Sequence, residues 1–395
     1  MKIRNVELKN FRNFSDKKFS FTDEQGKVKQ FTVLIGDNGA GKTSLLEAIT
    51  KCFVPVIRSV NSKAIKNCDL KESDIKYQCG WTAVSSEVEI NRECYLVENK
   101  KRKTASTEYD NTLDLKKQKQ EMLLAKEVFG REKEQGSVPL ILYYGTNRVF
   151  NEVPRRGHIR EYNIEDALEG CFDNSNNFRG FYEWFKKEED IELRELREEC
   201  GYHNVKLDAV RDAISSMMPG YGDLKIKLNP SRMVITNKNN EELRIEQLSG
   251  GYKAILAVVS DIAKRLAMAN PNMTRPLDGE AVILIDELDL HLHPKWQKTI
   301  VEDLKRTFPN CQFIVSTHSP FIIQTLQHCE LLSLENDNIP TGNGTYEGWS
   351  IEEIQENRMN VEARTMKYKK LITEFSDAVD QEDRQKVLKM YKMQI

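Results

Sequence analysis

The feature that most limits what this chain can fold into is a short loop near its start. Phe31-Thr-Val-Leu-Ile is an apolar, β-branched run that feeds Gly36-Asp-Asn-Gly-Ala-Gly41-Lys42-Thr43-Ser44. A helical pattern follows at once, with Leu45, Leu46, Ala48 and Ile49 at helical spacing. Gly36 to Thr43 fits G-x-x-x-x-G-K-[ST], in the strand-loop-helix setting where that pattern cradles phosphate. Glycines let backbone N–H groups turn around phosphate oxygens, and the start of the next helix adds positive partial charge. The expected cradle is therefore Gly36, Asn38, Gly39, Ala40, Gly41, Lys42, Thr43 and Ser44. Lys42 is expected to reach the β- and γ-phosphates, and Thr43 to set its hydroxyl on Mg2+. A nucleoside triphosphate is the implied ligand. A glycine-rich turn that binds nothing is the competing reading.

Three later stretches extend the same chemistry. Ala281-Val-Ile-Leu-Ile285 reads as a central parallel strand ending in Asp286 and Glu287, and ligands of α/β folds sit at such strand ends. Asp286 is placed to hold Mg2+, and Glu287 to polarise the water that attacks the γ-phosphate. The competing reading is an acidic pair in a turn. Gln312-Phe-Ile-Val runs into Ser316-Thr317-His318, where His318 can donate to a γ-phosphate oxygen. Leu248-Ser249-Gly250-Gly251 opens a helical pattern (Ile255, Leu256, Val258, Val259, Ile262) and makes a second anion site at a helix start. Two such sites for one nucleotide per chain is an informative mismatch. His291 and His293 form an H-x-H pair with no third ligand placed nearby, which argues against zinc.

Elsewhere the chain is less specific. Lys2 to Leu8 reads as an edge strand, Phe19 to Phe21 as a short partner strand, and the loop's helix as ending near Val54. Arg58 is open to two readings, a nucleotide contact or a solvated arginine; so is Arg148, a ligand contact or an ion-pair partner. Residues 75–100 suggest antiparallel strands, and Lys100 to Lys103 with Lys116, Lys117 and Lys119 are either phosphate contacts or solvated loops. From Glu161 to about Met218 the period turns helical, with Phe178, Phe181, Tyr182 and Phe185 expected in a core or a subunit contact. At 395 residues the length allows two or three domains, and a net charge of −2 gives no global nucleic-acid or membrane signature. Eight cysteines without a C-x-x-C pair read as reduced thiols. With no signal-peptide pattern at the start and no run of the roughly 18 apolar residues that a spanning helix needs, the expected setting is cytoplasmic.

Taken together, the Gly36–Thr43 loop, Leu248-Ser249-Gly250-Gly251, Ile285-Asp286-Glu287 and Ser316-Thr317-His318 stand in the order of an ABC-type ATPase head: Walker A, signature, Walker B, switch histidine. The opening Leu8-Lys-Asn-Phe-Arg-Asn-Phe14 and the Asp286-Glu-Leu-Asp-Leu-His-Leu-His-Pro294 stretch resemble the RecF, Rad50 and OLD group. Within it the chain is most similar to compact anti-phage defence ATPases, the PtuA family of Septu and retron-Septu systems first and the AriA family of the PARIS system second. Tyr143 to Arg148 and Pro294-Lys-Trp-Gln297 carry that narrower resemblance.

The resemblance implies an α/β fold: a mixed sheet with helices and an antiparallel β lobe, carrying a helical insertion and a helical C-terminal tail. The implied division is an N-terminal head lobe at 1–150, the insertion at 151–222, a C-terminal head lobe at 223–335 and the tail at 336–395. It also implies ATP with Mg2+, and two chains packed head-to-tail, so that Ser249, Gly250 and Gly251 cap the partner's ATP. Asp289 to His291 would cross that interface. A magnesium-binding glutamine is expected too; Gln78 is one candidate, and the 144–148 segment occupies a similar place. The implied function is a regulatory ATPase that controls a separate nuclease of HNH type, with higher oligomers and double-stranded DNA as further partners and no membrane. The alternative is a RecF-like repair or DNA-structure sensor. A nuclease within this chain is disfavoured, since no H-N-H constellation occurs and no strand-Glu with a following Asp-x-Asp comes after His318.

Overall fold

The computed structural model describes residues 1–61, 64–65, 68–104, 123, 127–130, 136–147, 161–173, 178–228, 231–335, 344–362 and 366–380. Four largely apolar runs become the strands β3 (Phe31–Ile35), β6 (Leu140–Tyr144), β10 (Ala281–Ile285) and β11 (Gln312–Ser316), and every residue of all four is buried. Burial on both faces suits parallel strands. With β12 (Leu331–Ser333) they form a parallel sheet in the order β12-β3-β11-β10-β6. Segments 1–150 and 223–335 thus contribute to one sheet, with β3 lying between two strands that come some 280 residues later.

A second sheet is antiparallel, in the order β2-β1-β4-β5, from β1 (Lys2–Phe11), β2 (Phe14–Ser20), β4 (Trp81–Ile90) and β5 (Glu93–Arg102). The expected edge strand β1 is internal, paired to β2 on one side and β4 on the other. An alternating strand with one face on the core looks the same in sequence whether one or both of its edges are paired. Most of β2 is exposed Ser-Asp-Lys-Lys, which hid its true start at Phe14. Helix α1 (Lys42–Val60) runs past the expected end near Val54 and through Pro55. A helix-interior proline costs about 3 kcal/mol. Burying Val56, Ile57 and Val60 returns roughly 1.5–3 kcal/mol each.

The helical region comprises α2 (Phe178–Glu198) and α3 (Val205–Met217), followed by a small antiparallel sheet of β7 (Tyr221–Lys227), β8 (Arg232–Asn237) and β9 (Glu242–Arg244). The α2 aromatics resolve as core: Phe178, Phe181, Tyr182 and Phe185 are buried together with Trp184. Helix α4 (Gly250–Ala269) is buried along most of its length. Within it Arg265 donates to Asp261 at 2.7 Å and to the carbonyls of Ala167 and Glu169 at 2.7 and 2.8 Å, while Tyr144 donates to Asp261 at 2.9 Å. Burial works against the Asp261 carboxylate, yet Arg265 holds it below the ordinary range. A buried ion pair is tolerated only when further hydrogen bonds complete it, as these do.

Short helices α5 (Pro294–Gln297), α6 (Ile300–Thr307) and α7 (Pro320–Ile323) connect the last strands. Helices α8 (Ile351–Arg358) and α9 (Met366–Asp380) follow. His328, Tyr346 and Trp349 pack as a ring cluster, and Arg358 lies 4.8 Å over Trp349, which fastens α8 to the head. Among the described residues no helix is long and apolar enough to cross a membrane.

On α2, buried Glu189 receives the Ile226 amide of β7 at 3.1 Å. Burial pushes its carboxyl up to about 7. The native state then holds a proton that the unfolded chain has released above about pH 4.5, so this group lowers stability as pH rises from about 4.5 to 7. Glu189→Gln keeps an acceptor for Ile226. It is expected to flatten that slope and raise stability at pH 7.5 by about 1–3 kcal/mol, read by urea unfolding across the pH range.

Candidate nucleotide site

The loop after β3 is shaped by its glycines. Gly41 adopts φ +106°, and a Cβ there would come within 2.5 Å of the Phe14 ring and 2.8 Å of Asn13 Nδ2. The β1–β2 hairpin tip lies against it, and Asn13 donates to the Ala40 carbonyl at 3.1 Å. Gly41 also begins α1 without a side-chain cap, so the first amides of a 19-residue helix keep no internal acceptor. Lys42 curls back to donate to the carbonyls of Gly36 at 2.6 Å and Asp37 at 3.1 Å. Burial pushes its ammonium pKa down, opposed by Glu335, Asp286, Asp37 and Glu287. Glu335, just beyond β12, accepts the Asp37 amide at 3.0 Å.

The strand ends bring the other groups to this loop. Thr43 Oγ1 donates to Asp286 Oδ2 at 2.8 Å, while Ser316 Oγ donates to Asp286 Oδ1 at 2.6 Å and accepts the Glu287 amide at 2.7 Å. Glu287 takes a left-handed φ of +50°, uncommon for a side-chain-bearing residue and a form of strain that gathers at functional sites. Its neighbours hold it there: Asp286 N–H donates to the Tyr144 carbonyl, and Leu288 N–H to that of Ser316.

Together these groups border a cleft of about 370 Å3 that contains Lys42, Thr43, Ser44, Asp286, Glu287 and His318. Asn38, Gly39 and Gly41 line it as well, while Gly36 and Ala40 shape the loop from behind. A lysine ammonium, uncapped helix amides and a hydroxyl beside a carboxylate form a donor set that fits a triphosphate with a hard divalent cation. Arg12, Asn13 and Ser316 line the cleft too, without having been singled out for it in the sequence. Arg12 is held by Asp74, Glu47 and Ser44, and no local pattern marks a turn arginine for that position.

Ser249, Gly250 and Gly251 do not line this cleft. Ser249 and Gly250 are exposed at the uncapped start of α4. Gln78 is exposed in a left-handed turn and does not line the cleft either. Arg58 resolves as a surface residue, bidentate to Asp69 at 2.5 and 2.7 Å. Lys100 pairs with Glu98. His293 caps α5 by accepting the Lys295 amide at 3.2 Å, and the described residues contain no cluster of three metal-ligating side chains. Arg148, Lys116, Lys117 and Lys119 lie outside the described residues.

A parallel sheet with a phosphate loop on β3, an acidic pair on β10, a histidine after β11 and an antiparallel lobe alongside defines an ABC-type P-loop ATPase head. The chain belongs to the RecF/RecN/SMC N-terminal domain family, whose profile matches residues 2–339. It is 30% identical to a Vibrio cholerae protein described as Retron Vc95 probable ATPase, over 82% of this chain and 72% of that one. It is 28% identical to Retron Ec83 probable ATPase of Escherichia coli, over 96% and 80% respectively. Septu protein PtuA of Bacillus thuringiensis is 34% identical over 40% of this chain and 43% of its own. The resemblance to PtuA-type ATPases read from the motifs is borne out.

Ser316 has its donor and its acceptor both engaged, and it is fully buried. Ser316→Ala leaves the Glu287 amide and one Asp286 oxygen without that partner, at a cost of about 1–3 kcal/mol. The expected result is a matching loss in denaturant unfolding and at least a tenfold fall in ATP turnover.

Proposed function

We propose that this chain is the ATP-binding and ATP-hydrolysing regulatory subunit of a bacterial anti-phage defence system, which assembles with and controls a separate nuclease. The observation that carries the reading is the gathering of Lys42, Thr43, Asp286, Glu287 and His318 in one cleft while the exposed signature loop stays outside it. ATP held by one chain is then capped by Ser249, Gly250 and Gly251 of a second, in a head-to-tail dimer. The retron and Septu relatives support the defence setting. An HNH-type nuclease is the proposed partner; higher assemblies and contact with double-stranded DNA extend the same reading.

In this mechanism Lys42 leaves the Gly36 and Asp37 carbonyls for the β- and γ-phosphate oxygens, and the first amides of α1 bind the same phosphates. Thr43 and Asp286 would hold Mg2+, which neutralises phosphate charge when bound. Glu287 orients the attacking water and takes its proton. His318 donates to the γ-phosphate. Hydrolysis is slow and regulatory, so that the ATP-bound dimer lasts long enough to restrain the nuclease.

Lys42→Ala is expected to abolish nucleotide binding. Glu287→Gln is expected to keep ATP and accumulate the closed dimer, with turnover lowered about 10²–10⁴-fold; parental turnover in Glu287→Gln would remove Glu287 from the role of base. Mass photometry of the chain, alone and co-expressed with a neighbouring nuclease, with and without ATP, tests the assembly. A stable complex supports the proposal, whereas a lone chain that dimerises only with ATP and DNA points to a repair-type sensor.

A further inference from the structure

The Pro294-Lys-Trp-Gln297 turn has no part in the cleft, yet its side chains are engaged on two sides. Gln297 donates through Nε2 to the carbonyls of Leu292 at 2.8 Å and Asp289 at 3.4 Å, and its Oε1 accepts from Ser319 Oγ at 2.7 Å. Ser319 is buried and directly follows His318. The same loop is gripped again at Asp289, whose Oδ1 accepts from Thr317 Oγ1 at 2.5 Å and from the His318 amide at 3.1 Å. Residues 289–292 are therefore pinned to the His318 segment at both ends.

The far side of this loop meets the signature. Gly251 lies so close to the His291 carbonyl that a Cβ would stand 2.7 Å from its oxygen. Next to it the Trp296 ring meets Tyr252 edge-on, with centroids 4.1 Å apart, and Tyr252 packs on Tyr221 at 4.7 Å. A small open apolar cleft of about 30 Å3 is lined by Leu288, Leu290 and Leu292 and by Ile255 and Val258 of α4.

We propose that Gln297 and Trp296 are positioning residues that link the two nucleotide sites of the dimer. The inference rests on the head-to-tail reading above. His318 faces the ATP of its own chain, and Gly251 faces the ATP held by the other. When His318 engages a γ-phosphate, Ser319 and Asp289 carry the 289–292 loop with them through Gln297. His291 and Trp296 then reposition Gly251 and Tyr252. Each ATP thereby sets how well its chain caps the other, which makes closure cooperative in ATP.

The test uses the full chain with Gln297→Leu, which removes all three bonds at similar volume, and Gln297→Glu, which keeps an acceptor for Ser319 but loses the donors to the carbonyls. ATP binding to the monomer, ATP-dependent dimerisation and the Hill coefficient of turnover are measured together, with thermal unfolding as the folding control. The expected result is a monomer affinity within twofold of the parent, dimerisation weakened at least tenfold, and a Hill coefficient falling to 1 in both variants. Should Gln297→Leu unfold, Gln297→Glu decides the matter. Folded variants with the parent's Hill coefficient and dimer affinity overturn the coupling alone. A parent that stays monomeric with ATP overturns the dimer reading and the coupling with it.

Discussion

The register of four parallel strands governs everything at the site. Leu34 pairs with Ser316, Val315 with Ile285, and Ile285 with Tyr144, so β3, β11, β10 and β6 end at one level. The residues that follow must share the small space above those ends. Thr43, Asp286 and Ser316 meet there within hydrogen-bond distance although they lie up to 273 residues apart. A one-residue slip in a two-sided buried strand would turn its side chains to the opposite face and separate them. The close packing of Phe31 on Phe313, centroids 5.3 Å apart, resists such a slip at the opposite end.

On that frame the cleft is held by a small number of side-chain brackets. Ser316 fixes both members of the acidic pair, and the left-handed Glu287 is stabilised by three backbone-directed bonds around it. Lys42 donates to two loop carbonyls. The donors of the site are thus kept in place by contacts that a nucleotide can replace rather than by contacts that it would have to break in the core.

Much of this was legible in the sequence because it is local. Glycine spacing after an apolar strand, the apolar runs that end at Ile35, Ile285 and Val315, and small residues before a helix each have a direct physical reading. What was hidden is long-range or depends on which edge a strand uses. That β1 is internal needs β2 and β4, and most of β2 shows the sequence only charged, exposed residues. That α1 passes Pro55 needs the apolar surface that Val56 and Ile57 bury. Glu335 reaching Asp37, and Arg12 and Asn13 reaching the loop's helix and its carbonyls, join segments with no shared pattern. Gln78 looked suitable by type and order, but its exposed left-handed turn sets it outside the cleft.

The position of β3 also sets the order in which a nascent chain can fold. Its neighbours are β11 and β12, so this apolar strand has both edges open until residue 316 has been made and one edge open until residue 333. At ordinary synthesis rates that wait is roughly 15–60 s. The strand that carries the nucleotide loop is made long before the strands that flank it, and during that interval an unpaired hydrophobic strand is available to chaperones or to another chain.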